Sequence, residues 1–198
     1  MSLYPFFYFY DLEFNKNSLL EFINSLSETE WIGPHIGNYD KSIPIAPHSA
    51  DNKLFTANSI TSDFMRCSEI AKIASYFTEG PQPLFQMMMI KKSKNGHRAP
   101  FHPLMQNLEY DKKHNIIRTF DIIVPIQGGF EESPLEAIDT KDNSHHVLKP
   151  IGKAFMVPND PSWHFSWAET VYDFRYTLHL RGQWPFTYNE MRNKYYKV

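Results

Sequence analysis

Four of the chain's nine histidines lie at the edge of a predicted strand or inside one, where a rigid backbone could hold an imidazole as a metal ligand. These four are His97, His102, His164 and His179. We expect surface roles for the other five, which lie in polar or loop-like sequence: His35, His48, His114, His145 and His146. The adjacent pair His145-His146 cannot point the same way in an extended chain, so it is a weak metal signal.

An arginine lies eleven residues after His164, within a strand pattern that alternates without a break from Tyr172 to Arg181. Aromatic and aliphatic side chains occupy one face: Tyr172, Phe174, Tyr176, Leu178 and Leu180. Polar side chains occupy the other face: Asp173, Arg175, Thr177, His179 and Arg181. Such alternation predicts one face against an apolar core and one face towards water or a polar cavity. The function depends on which of these two environments the polar face meets.

In the N-terminal region, the sequence pattern predicts two helices separated by a long irregular stretch. The aromatic run Leu3–Tyr10 is typical of a strand. A helix capped by Asn17 or Ser18 follows, and a second helix is predicted from Ser62 to Phe77. We expect both helices to pack on the outer surface of a sheet. Between them, the stretch Trp31–Ser59 is rich in proline and glycine, and we expect this loop to help form a substrate pocket.

Short strands dominate the chain from Pro83 onward. The apolar run Leu84–Ile90 predicts a strand buried on both faces, and Lys91–Gly96 predicts a polar turn after it. The other predicted strands are Arg118–Ile126, Leu135–Ile138, Val147–Ile151, Lys153–Val157 and Tyr172–Arg181. A short polar helix, Tyr188–Tyr195, is predicted near the end. Two helices followed by about seven or eight short strands indicate an α+β protein, mainly β, built as an antiparallel sandwich or barrel.

Length and composition favour one globular domain. The 198 residues are 42% hydrophobic and 16% aromatic, which is sufficient for a sizeable core. We expect residues 1–198 to form a single domain, with an N-terminal region of residues 1–82, a β core of residues 83–185 and a tail of residues 186–198. A net charge of −2 gives no support for a nucleic-acid partner. Cys67 is the single cysteine and no apolar run approaches the ~20 residues of a membrane span, so we expect a cytoplasmic protein.

The order of several segments of this sequence resembles that of a known protein family. The segments are, in chain order, LFQMMMI, Gly96, His102, Arg118, GKAFMVP, His164 and Arg175. Over residues 83–185 their order and strand context resemble the double-stranded β-helix of iron(II)- and 2-oxoglutarate-dependent oxygenases. Within that superfamily the sequence most resembles the aspartyl/asparaginyl β-hydroxylase branch.

The resemblance implies a jelly-roll, cupin-like barrel with the N-terminal helices packed on its outside. It also implies that His102 and His164 bind Fe(II), with no catalytic residue beyond the metal ligands. Arg175 and Thr177 would bind a carboxylate of 2-oxoglutarate, since a guanidinium can bind two oxygens at once, and Arg118 would be a second anion contact. The implied substrate-pocket residues are His97, Trp163, Trp167 and His179. The implied reaction is hydroxylation of an amino acid, a peptide side chain or a small metabolite.

The chain departs from the family's usual first motif, because it has no His-x-Asp or His-x-Glu tripeptide. Some members of the aspartyl/asparaginyl branch hold iron with two histidines alone, which we favour because His102 lies six residues after Gly96. A halogenase-type variant, with a small residue in place of the carboxylate, would instead suit His97 and the two residues after it. Glu109 or Asp111 could supply an oxygen from a neighbouring strand, or no iron binds at all.

Two interpretations from other classes stay open. A metal-binding cupin with non-oxidative chemistry is compatible with Gly152-x5-Pro158 followed by His164, although the usual His-x-His motif of cupins is absent from the sequence. A non-catalytic barrel that binds a small ligand or a partner protein is favoured by the missing carboxylate. Geometry separates these interpretations, because the oxygenase requires His102, His164 and Arg175 to face one cavity. The sequence does not indicate the substrate or the oligomeric state.

Overall fold

The structure, a computed structural model, describes residues 7–9, 11–31, 40–44, 55–56, 67–77, 84–94, 101, 120–128, 134–147, 153–158, 160–168, 173–183 and 190. Its helices are α1 (Lys16–Ser25) and α2 (Ser68–Tyr76), with a short 3-10 helix at Glu28–Glu30. Its strands are β1 (Phe7–Phe9), β2 (Asp40–Pro44), β3 (Phe55–Thr56), β4 (Leu84–Lys94), β5 (Phe120–Gln127), β6 (Leu135–Asp139), β7 (His145–Val147), β8 (Ala154–Pro158), β9 (Trp163–Trp167) and β10 (Phe174–Gln183). No helix in these ranges is long and apolar enough to cross a bilayer.

The strands form two antiparallel sheets. The large sheet has seven strands in the order β1-β8-β5-β10-β4-β2, and β3 pairs with β4 beside this path. The small sheet has three strands in the order β7-β6-β9. Strand β10 therefore lies in the middle of the large sheet, paired with β4 on one side and β5 on the other. The prediction of a mainly β, antiparallel protein with few helices is confirmed.

Apolar side chains form two cores, one on each face of the large sheet. Ile122 and Leu178 of the large sheet pack with residues of both helices, such as Ile73, in the first core. Ile123, the next residue along β5, packs in the second core with Phe165 of the small sheet. Because successive side chains of a strand point to opposite faces, the helices cover one face of the large sheet and the small sheet lies against the other.

Helix α1 begins at a cap that differs from the predicted one. The Oδ1 atom of Asn15 accepts hydrogen bonds from the backbone N–H groups of Asn17 at 3.0 Å and Ser18 at 3.2 Å. These bonds satisfy donors that the first turn of a helix leaves without an intrahelical partner. The prediction of Asn17 or Ser18 as the cap is therefore wrong. The backbone N–H of Asn15 also donates to Oε2 of Glu69 at 2.6 Å, which ties α1 to α2.

Strand β4 is longer than predicted, and its edge partner β2 was not predicted. Residues 91–94 continue the strand because all four pair with β10 and residues 91–93 also pair with β2, as Lys92 does with Tyr176 and Lys41. The predicted polar turn there is wrong. Likewise, β2 and β3 lie in the stretch 31–59 that was predicted as irregular. Pro44 is tolerated at the end of β2 because this strand lies at the edge of the described sheet.

Several predicted element ends fall outside the described residues. Strand β7 begins two residues before the predicted strand Val147–Ile151, whose remaining residues lie outside the described ranges. The second predicted helix is confirmed from Ser68 to Tyr76. The first residues of that prediction, 62–66, lie outside the described residues. Within the predicted C-terminal helix, Glu190 is described, and its backbone is helical.

Candidate functional site

The polar face of β10 is buried between the two sheets. Tyr176 and Leu178 pack in the core on the helix side, so the residues that alternate with them point towards the small sheet. The exposed fractions of Arg175, Thr177 and His179 are 2%, 3% and 3%. The predicted alternation is confirmed from Phe174 to Leu180, and the polar side chains within that range lie in the protein interior, while Asp173 is exposed. Buried polar groups require partners, which can be protein groups or a ligand.

Strand β4 adds polar side chains to the same face. The register places Ser93 opposite Arg175 and Lys91 opposite Thr177. Both β4 residues face the small sheet, because Ile90, which alternates with them, packs in the helix-side core. Ser93 is buried and Lys91 is half-buried. We refer to Lys91, Ser93, Arg175, Thr177 and His179 as the inter-sheet polar face.

Arg175 has a fixed orientation on this face. Its Nη1 atom donates a hydrogen bond to the backbone carbonyl oxygen of Ala168 at 2.8 Å. Its Cζ atom lies 4.6 Å from the ring centroid of Trp167, so the guanidinium rests over the indole. A planar group that is oriented by both a hydrogen bond and an aromatic ring is well prepared to bind the two oxygens of a carboxylate.

Gly128 allows β5 to approach Arg175 closely. The register of β5 against β10 shifts between Tyr176 and Thr177, which marks an irregularity beside this glycine. Gly128 has a φ of 127°, a conformation that residues with a Cβ rarely adopt. A Cβ atom at this position would lie 2.6 Å from both Cβ and Cγ of Arg175. The glycine is therefore required for the observed position of the arginine.

Thr177 and His179 form a hydrogen-bonded pair. Oγ1 of Thr177 lies 2.9 Å from Nε2 of His179, and both side chains are buried. The tautomer of the imidazole decides which atom donates. If His179 donates, the hydroxyl proton of Thr177 is available to a ligand; if Thr177 donates, its oxygen can only accept a further bond.

Strand β9 supplies the aromatic wall opposite this face. Trp163, Phe165 and Trp167 are buried in the core between the sheets. The sequence-based expectation for Trp163 and Trp167 is a place in the core or in a pocket wall; both lie in the core, and Trp167 contacts the guanidinium of Arg175 directly. Trp163 lies farther along the strand, with its ring centroid 5.3 Å from that of His146.

His164 lies on the other face of β9. Its neighbours Trp163 and Phe165 point into the inter-sheet core, so the half-buried His164 points away from it. Its register partner on β6 is Ile138, which in turn pairs with His145 of β7. The structure therefore does not bring His164 together with Arg175, and the sequence spacing alone could not decide this face.

The adjacent histidines of β7 point to opposite sides, as predicted. His145 is exposed, and its Nε2 lies 3.2 Å from Oε2 of Glu136, on the same face as His164. Nε2 of His146 lies 3.1 Å from Oγ of Ser144. The pair therefore does not converge on one metal ion.

The remaining predicted site residues, His97, His102 and Arg118, lie outside the described residues. Among the residues that are described, no group of three or more His, Cys, Asp or Glu side chains is arranged to hold a metal ion. The described ranges of the chain therefore do not by themselves form an iron centre.

The inter-sheet polar face does fit a carboxylate ligand. Lys91 and Arg175 lie at one end of the face. Asp121, whose carboxyl group is fully buried, is on β5 and faces the small sheet, as the inter-sheet polar face does. It lies six residues before Gln127, the β5 residue near Arg175, so the two positions are about 20 Å apart along the strand. An ion pair between Asp121 and Arg175 is excluded at that separation. At the end that contains Arg175, the described side chains include two cations, Lys91 and Arg175, and the exposed carboxylate of Asp173, two residues before Arg175.

Solved structures share this fold. A prolyl hydroxylase from Trichoplax adhaerens, in complex with a hypoxia inducible factor oxygen degradation domain peptide fragment, matches with a TM-score of 0.56 and 10% identity, over 98% of this chain and 88% of that chain. A 2OG-Fe(II) oxygenase family oxidoreductase from Burkholderia pseudomallei matches with a TM-score of 0.56 and 10% identity, over 85% of this chain and 79% of that chain. At this identity the likeness shows the fold alone. No protein-family model and no curated protein sequence matches the chain.

Proposed function

We propose that this protein is an iron(II)- and 2-oxoglutarate-dependent oxygenase that hydroxylates an amino acid, a peptide side chain or a small metabolite. The observation that carries the proposal is the buried, oriented guanidinium of Arg175 between two sheets whose fold matches that of oxygenases of this class. Under the same proposal, the two sheets close into a double-stranded β-helix, and the ligand lies between them.

Arg175 and Thr177 would bind the terminal carboxylate of 2-oxoglutarate. Removing a guanidinium from water is costly unless an opposite charge or hydrogen-bond acceptors replace the water. Two contacts of Arg175 are with neutral groups, the carbonyl of Ala168 and the ring of Trp167. A bound carboxylate would supply a negative charge, and the hydroxyl of Thr177 lies on the same face of the strand.

The proposed metal ligands are His102 and His164, with Arg118 as a second anion contact and His97 in the substrate pocket. When bound, iron(II) and 2-oxoglutarate would supply the activation of O₂ for C–H hydroxylation. The face of β9 counts against His164, since a ligand in this role must point into the cavity that contains Arg175. His164 must therefore be tested separately from Arg175.

The substrate class follows from the fold neighbours only as a proposal. The Trichoplax protein was solved with a peptide. A peptide side chain or a small molecule of similar chemistry is accordingly the substrate we propose for this chain.

A non-catalytic ligand-binding barrel is the second candidate function. It is favoured by the absence of a metal-binding group among the described side chains and by the face on which His164 lies. In that case the inter-sheet polar face would bind a carboxylate ligand without chemistry.

Anaerobic titration with iron(II) and 2-oxoglutarate tests the proposal. The wild-type protein should develop the weak visible charge-transfer band of the chelated cosubstrate. Arg175→Met should require about 10- to 100-fold more 2-oxoglutarate, the loss expected for a charge-assisted contact. No band in the wild-type protein at saturating iron would contradict the oxygenase and favour the binding barrel.

Two histidine variants separate the metal question from the cosubstrate question. His164→Ala should abolish the band if His164 is a ligand. His145→Ala, which changes an exposed histidine on the same sheet face, is the matched control and should leave the band unchanged. A band that survives in His164→Ala would remove this residue from the metal site while leaving the oxygenase in place.

A further inference from the structure

A serine and a histidine are in hydrogen-bonding contact where strand β7 begins. Oγ of Ser144 lies 3.1 Å from Nε2 of His146. Both side chains are half-buried, so both are partly open to solvent. A hydroxyl within about 3.2 Å of an imidazole nitrogen is the contact that a nucleophilic serine makes with its general base.

The turn between β6 and β7 fixes the position of Ser144. Its backbone N–H donates to Oδ1 of Asp142 at 2.8 Å, and its carbonyl oxygen accepts from the backbone N–H of Asp139 at 3.0 Å. Asn143 has a φ of 58°, in the left-handed region that asparagine adopts more readily than most residues. Because both backbone groups of Ser144 are bonded within the turn, its hydroxyl has a defined position.

The imidazole of His146 is oriented by an indole. The ring centroid of His146 lies 5.3 Å from that of Trp163, with an interplanar angle of 70°. Trp163 is buried in the core between the sheets, and Ala137, the register partner of His146, lies in the same core. A base whose ring is oriented by a third group is the second feature of an activated nucleophile.

A carboxylate lies on the other side of the hydroxyl. Hydrogen bonds from the side chain and the backbone of Ser144, together with the charge of His146, hold the pKa of Asp142 below its usual value. Of the two groups beside the hydroxyl, the imidazole is therefore the better proton acceptor near neutral pH. The negative charge of Asp142 stabilises the imidazolium that forms when His146 takes the proton.

We propose that Ser144 is a nucleophilic serine that accepts an acyl group from an activated carboxylic ester, with His146 as its general base. Oγ of Ser144 attacks the carbonyl carbon of the ester, and Nε2 of His146 takes the hydroxyl proton. The bond between the carbonyl carbon and the alcohol oxygen breaks, the acyl group stays on Oγ, and the alcohol leaves as its anion. This reaction is separate from the proposed oxygenase function, because it uses neither iron nor 2-oxoglutarate.

Acetylation by p-nitrophenyl acetate tests the proposal. Absorbance follows the release of p-nitrophenolate, and peptide mass spectrometry locates the acetyl group, which Ser144 should carry in the wild-type protein. His146→Phe keeps an aromatic ring against Trp163 but removes the base, so it should slow the acetylation of Ser144 by about 100-fold or more. Ser144→Ala should remove the acetyl group from that peptide.

Two controls separate the base from general surface reactivity. His145→Ala removes the adjacent imidazole, which points to the other face of the small sheet, and the rate at Ser144 should stay within about twofold of wild type. Ser27 is the control within the wild-type chain, since it is exposed and its Oγ contacts Oγ1 of Thr29 and Oε2 of Glu30. It should be acetylated about 100-fold more slowly than Ser144.

Thermal unfolding verifies that each variant is folded. Acetylation of the wild-type protein at lysine side chains without acetylation of Ser144 would overturn the inference. Equal rates of Ser144 acetylation in wild type and folded His146→Phe would overturn it as well.

Discussion

Arg175 and Lys92 are both buried cations of the large sheet, and they lie on opposite faces of it. Lys92 has an acidic partner, Glu28, at 2.6 Å. Arg175 is oriented by a carbonyl oxygen and an indole ring, neither of which carries a charge. Because a buried charge is stabilised most by an opposite charge, a carboxylate ligand beside Arg175 would add a stronger interaction than these two contacts provide.

The absence of a side chain at Gly128 should be necessary for the position of Arg175. Gly128→Ala should lower the free energy of unfolding by about 1–3 kcal/mol, because the new Cβ would overlap Arg175 and the positive φ is strained for alanine. It should also weaken 2-oxoglutarate binding, since Arg175 must move. Urea unfolding and calorimetry measure the two effects. Gln127→Ala, at the adjacent position, should cost less than about 1 kcal/mol; a Gly128→Ala protein with wild-type stability and affinity would refute the requirement.

At single positions, the sequence predicted side-chain faces where the signal was local. The strict alternation of β10 was sufficient to group Arg175, Thr177 and His179 on one face. It was not sufficient for Lys91, which joins that face only through its pairing with β10. For His164, the spacing to Arg175 gave the order of the two residues along the chain. It did not give the face of β9 on which the imidazole lies, because that face depends on how β9 pairs with β6.

The turn before β9 positions the aromatic wall of the site. Oδ1 of Asp160 accepts hydrogen bonds from the backbone N–H of Ser162 at 2.8 Å and from its Oγ at 2.7 Å. The carbonyl of Ser162 accepts in turn from the backbone N–H of Thr140, which ties the turn to the end of β6. Burial alone would raise the pKa of Asp160, but these hydrogen bonds and the charge of Lys141 outweigh it and hold the pKa below its usual value.

Asp160→Asn should therefore change the pH dependence of stability. A carboxyl whose pKa is lower in the folded state contributes stability above its unfolded pKa, near 4, and this contribution is lost as the pH falls through the folded pKa. We expect a loss of about 1 kcal/mol at pH 7 that shrinks as the pH falls to and below the unfolded pKa. Urea unfolding across this range measures it, with the exposed Asp11→Asn as control. A difference that is constant with pH would contradict the assigned role of the charge.

At the level of elements, the sequence predicted strands that carry their own pattern and missed those that depend on partners. Strands β5, β6, β8 and β10 have alternating or continuous apolar residues, and each was predicted near its observed position. Strand β2, with the sequence DKSIP, has no such pattern and is a strand because β4 provides its hydrogen-bond partners. The same pairing extends β4 through residues 91–94, where a turn was predicted.

For the whole molecule, the two faces of the large sheet differ in composition. Its helix-side face packs against α1 and α2 and holds most of the described apolar core. Its other face combines apolar residues that contact the small sheet with the inter-sheet polar face. Leu178 on one side and His179 on the other are adjacent in sequence, and under the proposed function we expect substitutions of Leu178 to lower stability and substitutions of His179 to affect ligand binding as well.

The overall class of fold was predictable because two helical periodicities followed by many short strand patterns leave few architectures. The order of strands in the two sheets was not, since pairings such as β10 with β4 join residues that are far apart in the chain. The metal centre was not predictable in full, because the usual His-x-Asp motif is absent and two of its candidate histidines lie outside the described residues.

The decisive measurement is a structure of the protein with 2-oxoglutarate and manganese(II), which accepts the same imidazole and oxygen ligands as iron(II). We expect 2-oxoglutarate between the two sheets, with its terminal carboxylate at about 3 Å from the guanidinium of Arg175. The position of the manganese would show at the same time whether His164 is a ligand. A 2-oxoglutarate molecule bound elsewhere, with no contact to Arg175, would contradict the proposed anion site and the oxygenase function that depends on it.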